Sequence, residues 1–167
     1  MEYRTLQLAD KDAVEQVLAP LGRNDSALGF ANLYSLTEKY GTEVRLEGRA
    51  LHVRQRRRLP GAVAYYPPLG GEDVVADIAR LLEEAAGAGE RPVLVGVTPS
   101  QRQRLEEALP GMFAFSTDRA FADYLYRTRD IAAYAGPALA KKRRETNKFF
   151  QLYGDDVSFE PVVPACL

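Results

Sequence analysis

Cysteine and histidine are nearly missing from this chain of 167 residues, which has one of each, Cys166 and His52. A single cysteine excludes an internal disulfide and a multi-cysteine metal site, and a single histidine excludes a histidine-based metal cluster. An excess of either charge is lacking too. With 22 basic against 23 acidic side chains the net charge is −1, so only a local patch could make a case for nucleic acid. No stretch reaches the roughly 20 apolar residues of a membrane-spanning helix. The first residues lack the apolar run of a signal peptide. A cytoplasmic protein, at most peripheral to a membrane, is the expectation. What is present is enough apolar material, 46% of the residues, to bury a core, which excludes a disordered charged tail.

Apolar spacing predicts alternating strands and helices. Tyr3, Leu6 and Leu8 suit a first strand. Asp10 then caps a helix carrying Val14, Val17 and Leu18, and Asp25-Ser26 opens a second helical stretch that Gly41 closes. Strands over 43–46 and 50–55 flank Glu47-Gly48 as a hairpin, and 61–66 reads as a further strand. After Gly70-Gly71-Glu72-Asp73, the spacing of Val74, Val75, Ile78, Leu81 and Leu82 predicts an amphipathic helix. The apolar run 92–97 reads as a strand covered on both faces, and Thr98-Pro99-Ser100 starts a helix over 101–109. Strands over 112–116 and 122–126, a helical turn over 130–134, a basic helix over 139–150 and an extended 157–163 complete the reading. The fold class is α/β (α+β), a mixed central sheet flanked by helices.

Chemistry is harder to find. Gly70-Gly71 precedes a helix, but Glu72 and Asp73 fill the first turn, where they would repel a phosphate. The pattern is neither a P-loop nor G-x-G-x-x-G. Two basic runs stand out. In Arg54-Gln55-Arg56-Arg57-Arg58, strand alternation places Arg54, Arg56 and Arg58 on one face, most simply a solvated edge. In the second run, Lys141, Lys142, Arg143 and Arg144 are followed by Asn147 and Lys148; helical spacing puts Lys141, Arg144 and Lys148 on one stripe, a candidate anion site. The bland alternative is a surface helix whose charges pair with acidic neighbours. Cys166 has no histidine poised to activate it, and His52 reads as a strand residue with satisfied hydrogen bonds. The acidic pairs Glu83-Glu84 and Glu106-Glu107 read as solubilising. Tyr124 and Tyr126, beside Asp123, are the weak candidates for acid–base work.

Asp123-Tyr124-Leu125-Tyr126, then Gly136, Lys142-Arg143 and Asn147-Lys148-Phe149, resemble the D-Y-x-Y and G-x(5)-K-R-x-x-x-N-[RK]-F signature of the DUF2156 family. That family is similar to the C-terminal catalytic region of phosphatidylglycerol lysyltransferases. Phe30-Ala31-Asn32-Leu33-Tyr34, the stretch from Tyr66 to Gly70, Gly96-Val97-Thr98 and Pro110-Gly111 follow the same order, so the resemblance runs from about Tyr3 to Pro161. It implies tandem acetyltransferase-like (GNAT) domains in a chain almost twice as long. Here residues 1–155 would form the first, GNAT-like, domain. Residues 156–167 would start the link to a second that this chain lacks, making it a truncated piece or a natural half.

An acyl-CoA site in such a domain needs an [RQ]-x-x-G-x-[GA] turn. Pro67-Pro68-Leu69-Gly70-Gly71-Glu72 offers prolines without N–H groups and an acid instead, so no cofactor is expected. The resemblance implies an acyl- or aminoacyl-transferase part that docks an aminoacyl-tRNA or an anionic lipid headgroup through Lys141, Lys142, Arg143, Arg144, Asn147 and Lys148 and is not catalytic alone. The alternative is a non-catalytic anion-binding or interaction module. A stand-alone acetyl-CoA acetyltransferase would have to bind acetyl-CoA tightly, which this turn disfavours. No DNA partner is expected; a homodimer or the second GNAT-like domain is.

Overall fold

A computed structural model describes residues 2–22, 26–119 and 122–160. The chain divides into two compact units, Met1–Phe121 and Ala122–Leu167. Cys166 and the last residues of the extended reading lie outside the described residues.

The first unit is built on the strands β1 (Arg4–Thr5), β2 (Thr42–Glu47), β3 (Ala50–Leu59), β4 (Ala62–Tyr65) and β5 (Pro92–Leu94). They lie in that order across one sheet, antiparallel except for the parallel β4–β5 pair. The hairpin reads as its sequence suggests. Gly48, at φ +58, supplies the left-handed residue of the turn. The register sets Val44 against Val53 and Leu46 against Leu51, so β2 and β3 turn alternate apolar side chains to one face. There they meet α1 (Lys11–Leu18) and α2 (Phe30–Ser35) in a core of Leu6, Val14, Leu28, Phe30, Leu33, Val44, Leu51, Val53, Tyr66 and Leu69. Each fully buried side chain of this size contributes about 1.5–3 kcal/mol. The short α3 (Thr37–Tyr40) ends at Gly41, φ +60, as a left-handed cap.

The opposite face is covered by α4 (Val74–Gly87), which buries Ile78, Leu81 and Ala85, at helical spacing. Tyr65, Leu81 and Ala85 form a smaller core with Tyr3, Val63, Leu82 and Leu94 around them. Asp73 caps α4 by accepting from the backbone N–H groups of Val75 and Ala76. The next helix, α5 (Pro99–Ala108), begins with Pro99 inside a Thr98–Gln101 capping box and buries Leu105.

Four expectations change. The run 92–97 forms strand only over Pro92–Leu94 and is half-buried at the sheet's edge rather than covered on both faces. It stops where Gly96 takes φ +67 against the Tyr66 ring, where a Cβ would lie 3.0 Å from Cδ1. Segments 112–116 and 122–126 are irregular, not strands. Their alternation is real, but a strand requires a neighbour to hydrogen-bond, and the ladder ends at β5. Finally, a register shift between Gln55 and Leu59 breaks the arginine alternation. Arg54 and Arg56 both bond Glu43, whereas Arg58 turns to Gln55 Oε1 at 3.1 Å and the Tyr66 hydroxyl at 3.3 Å.

The second unit holds α6 (Thr128–Ala133), α7 (Ala140–Tyr153) and a 3-10 turn, Gly154–Asp156. Neither helix has a buried residue. The fold is thus mixed α+β, with a five-stranded mixed sheet.

Candidate functional site

Helix α7 carries the basic run. The chain enters it through Tyr134, left-handed at φ 45, and Gly136 at φ 79. Arg143 Nη1 donates to the Tyr134 carbonyl at 2.5 Å, which ties the helix to the end of α6. At 100° per residue, Lys141, Arg144 and Lys148 fall on one side of α7, whereas Phe149, Phe150 and Tyr153 fall on the other. Lys142 and Lys141 share Glu145, at 3.2 and 3.9 Å. Arg144 and Lys148 are exposed and have no ion pair or hydrogen bond among the described residues, and Asn147 is exposed beside them. The acidic neighbours therefore neutralise only the start of the run, leaving two unpaired cations one helical turn apart.

The run also opposes its own helix. A helix N-terminus favours acids and a C-terminus favours bases. Here four cations crowd the beginning, the last turn has no basic residue, and Asp155 and Asp156 follow directly. A helix that breaks this rule without an internal compensation gains from a partner at its end. Tyr124 and Tyr126 come together as a stacked pair, ring centroids 6.3 Å apart, and are 86% and 55% exposed. Among the described residues no general acid or base is buried with them; what they offer is two ring faces to water.

In the first unit, the junction before α4 borders a cavity of about 880 Å³ lined by Arg49, Gly70, Gly71, Glu72, Asp73 and Asp77, but the glycines themselves are tightly packed. Gly70 takes φ +78 beneath the hairpin turn, where a Cβ would lie 2.6 Å from the Arg49 carbonyl oxygen. A Cβ on Gly71 would overlap the Asp77 carboxylate. Asp73 already accepts the free N–H groups of the helix. These glycines serve close packing, and two of the first-turn amides a phosphate would use are taken by Asp73. The arginines of 54–58 are likewise engaged. Arg54 bridges Glu43 at 2.6 Å, Glu90 at 3.2 Å and the Tyr65 hydroxyl. Burial pushes the Glu90 carboxyl up, but the Tyr65 hydroxyl, Arg54 and Arg56 outweigh it and hold the carboxyl below its usual range.

The sequence reading missed a polar layer between the sheet and α4. Glu43, Arg45 and Glu47 on β2 oppose His52 and Arg54 on β3, all on the α4 side. Arg45 Nη1 donates to Glu84 Oε2 at 2.7 Å, so Glu84 is a structural partner and not merely solubilising. Arg45 Nε and Nη2, the Tyr3 hydroxyl and both His52 ring nitrogens are buried without a hydrogen-bond partner, which corrects the expectation of a satisfied histidine. Burial, then the charge of Arg45, pushes the His52 pKa down, and burial pushes Tyr3 up to about 12. Tyr3, Arg45, Arg54, Tyr65 and Glu84 border a cavity of about 330 Å³. The missed signal was period-two charge on a hairpin: writing Glu43-x-Arg45-x-Glu47 against His52-x-Arg54 in register reveals the layer. Among the described residues, no group of three His, Cys, Asp or Glu side chains could hold a metal ion, and no helix is long and apolar enough to cross a membrane.

A mixed α+β unit with a five-stranded sheet, followed by an exposed basic helix, is the class of protein the structure defines. The comparisons give the family. Residues 18–165 match the phosphatidylglycerol lysyltransferase C-terminal family, and the chain belongs to it. A solved structure, a conserved protein of unknown function from Bacteroides thetaiotaomicron VPI-5482, is 30% identical with a TM-score of 0.83. The match covers 99% of this chain and 55% of that one, so this chain spans about half its length. No curated protein matches.

Proposed function

We propose that this chain is a docking part of an acyl- or aminoacyl-transferase related to phosphatidylglycerol lysyltransferase, and that it holds an anionic donor or acceptor on Lys141, Lys142, Arg143, Arg144, Asn147 and Lys148. The carrying observation is that Arg144 and Lys148, on one stripe of α7, are exposed and unpaired among the described residues. Phosphodiester groups suit such a stripe, whether they belong to an aminoacyl-tRNA acceptor end or to an anionic lipid headgroup. Aminoacyl transfer from an ester needs no protein nucleophile; it needs the acceptor amine or hydroxyl held against the ester carbonyl. A docking surface contributes to that placement without acid–base chemistry of its own. A GNAT-like domain over residues 1–155, a link beginning at 156 and a second GNAT-like domain as partner belong to the same proposal. Support for them comes from the β-α-α-α-β-β-β-α-β-α order of the first unit and from the relative's longer chain. No acyl-CoA is called for, because first-turn amides of α4, those of Val75 and Ala76, are capped by Asp73.

Binding of tRNA and of vesicles containing phosphatidylglycerol, each over a salt series, tests the reading. Arg143→Glu with Lys148→Glu weakens binding, and Arg144→Glu with Lys148→Glu weakens it more than Lys142→Glu, whose ammonium is already shared with Glu145. Removing two single-strand phosphate contacts lowers the salt slope by about 1.5. Binding at low salt that ignores these changes removes the docking role. A non-catalytic anion-binding module would pass the same test yet show no transfer when the remaining half of a longer relative is supplied; the exposed tyrosine pair, free of buried acid or base, favours that second reading.

A further inference from the structure

The polar layer between the sheet and α4 holds more donors than the protein itself engages. Arg45, 9% exposed in its side chain, gives Nη1 to Glu84, while Nε and Nη2 are buried without a hydrogen-bond partner. Arg54 spends Nε on Glu43 and Nη1 on the Tyr65 hydroxyl and Glu90. The Tyr3 ring covers both guanidinium groups, its centroid 4.9 Å from the guanidinium carbon of Arg45 and 4.1 Å from that of Arg54. Its own hydroxyl is buried without a partner too. Buried donors of this kind cost free energy until something accepts from them. Beside them lies the cavity of about 330 Å³, bordered by exposed Glu2 and by Leu81, Ala85 and Ala88 of the α4 side. That volume falls at the small end of ligand sites, roughly 300–1,000 Å³.

The charges around the cavity say which molecule fits. Arg45, Arg54 and Arg56 are matched by Glu84, Glu43 and Glu90, so donors are in surplus but positive charge is not. A lone anion would upset that balance. The acidic side has a surplus of its own. Glu84 Oε1 accepts no hydrogen bond among the described residues, and Glu2 stands nearby at the border. Helix α4 ends beside them at Gly87, with no basic residue in its last turn to meet the negative end of its dipole. A carboxylate at the arginines and an ammonium at Glu84 and the end of α4 satisfy both sides without changing the net charge. Ala85 and Ala88 leave room for the rest of such a molecule.

We infer that this cavity binds a free α-amino acid as its zwitterion, with the carboxylate toward Arg45 and Arg54 and the ammonium toward Glu84. Because Nε and Nη2 of Arg45 are covered, binding includes a sideways shift of the Tyr3 ring, which stands just before the two-residue strand β1. An aminoacyl ester has no free carboxylate, so the site takes a different molecule from a transferase donor. The inference stands on the first unit alone and needs no anion on α7.

L-Leucine is the probe, titrated into the full chain by isothermal calorimetry or followed by ligand-observed NMR. A Kd of about 0.1–1 mM is expected for a ligand of this size. Isocaproate, which is leucine without its amine, and L-leucinamide, which has no free carboxylate, each bind at least about tenfold more weakly, the loss expected for a missing charged hydrogen bond. Arg45→Met with Glu84→Ala removes both clamps while stranding no charge, and binding is lost. Ala88→Phe, at an exposed position bordering the cavity, fills it and weakens binding at least about tenfold with an unchanged urea midpoint. No binding of L-leucine at about 10 mM overturns the inference. So does equal binding of either analogue, or binding that survives both variants.

Discussion

Removing Glu84 isolates the strongest electrostatic commitment in the first unit. Arg45 is 9% exposed in its side chain, and its one hydrogen bond runs from Nη1 to Glu84 Oε2 at 2.7 Å. Glu47 stands 3.6 Å from Nη2, beyond hydrogen-bond reach, and the Tyr3 ring lies 4.9 Å from the guanidinium carbon. Glu84→Ala thus leaves a nine-tenths-buried cation with no hydrogen-bonded partner. Breaking a wholly buried pair costs about 3–5 kcal/mol. Glu84 itself is 42% exposed and water-screened, which brings the expected loss to about 2–3 kcal/mol. Glu106→Ala is the matched control. It also removes a helical glutamate from an arginine, at 2.9 Å, but both partners are about half exposed and the loss should be about 0.5 kcal/mol or less. Helix propensity changes equally in the two variants and cancels in the comparison. Urea unfolding followed by far-UV circular dichroism measures both. Adding Arg45→Met to Glu84→Ala should recover most of the loss, because the stranded charge is gone. If Glu84→Ala costs no more than Glu106→Ala, the buried polar layer does not act as described.

Two further outcomes concern the same unit. His52, the chain's sole histidine, has its pKa depressed by burial and by Arg45, so the unfolded state takes up its proton first. Stability should therefore fall as pH drops below the unfolded value of about 6.5, by at most about 1.4 kcal/mol per pH unit, until the folded pKa is passed. His52→Leu should flatten that stretch of the pH–stability curve; an unchanged slope refutes the assignment. Gly70→Ala should cost about 2 kcal/mol or more, since it adds a clash with the Arg49 carbonyl to the left-handed strain of about 1–2 kcal/mol. Gly61→Ala, at φ +66 with open space around it, should cost the strain alone; equal losses by urea titration would count against the tight junction.

The sheet was legible because its signals were local. Glu47-Gly48 fixed the hairpin, alternate Val44, Leu46, Leu51 and Val53 set the buried face, and Asp73 announced the cap of α4. The basic helix and the apolar spacing within it were equally plain. What escaped depended on neighbours. Segments 112–116 and 122–126 carry strand-like alternation, yet pairing requires an edge that composition does not display. The arginine run looked uniform because a bulge between Gln55 and Leu59 leaves no mark in residue type. Glu84 looked solvated because its partner, Arg45, lies 39 residues away. For the candidate site, the stripe of Lys141, Arg144 and Lys148 could be drawn from spacing; that Glu145 would occupy Lys141 and Lys142 but leave Arg144 and Lys148 unpaired emerged from side-chain geometry.

The irregularity in β3 has an evolutionary consequence. Between Gln55 and Leu59 four steps along β3 oppose two along β4, and those two surplus residues deal four guanidinium groups to two sides of a thin layer, two toward carboxylates over α4 and two toward the opposite surface. Shortening the segment by a single codon would leave one surplus residue, turn the side chains beyond it to the other face and cost the Tyr66 hydroxyl its Arg58 donor. Insertions and deletions between positions 56 and 58 should therefore be far less tolerated than substitutions there, although the segment lies at the end of a strand where length changes are ordinarily cheap.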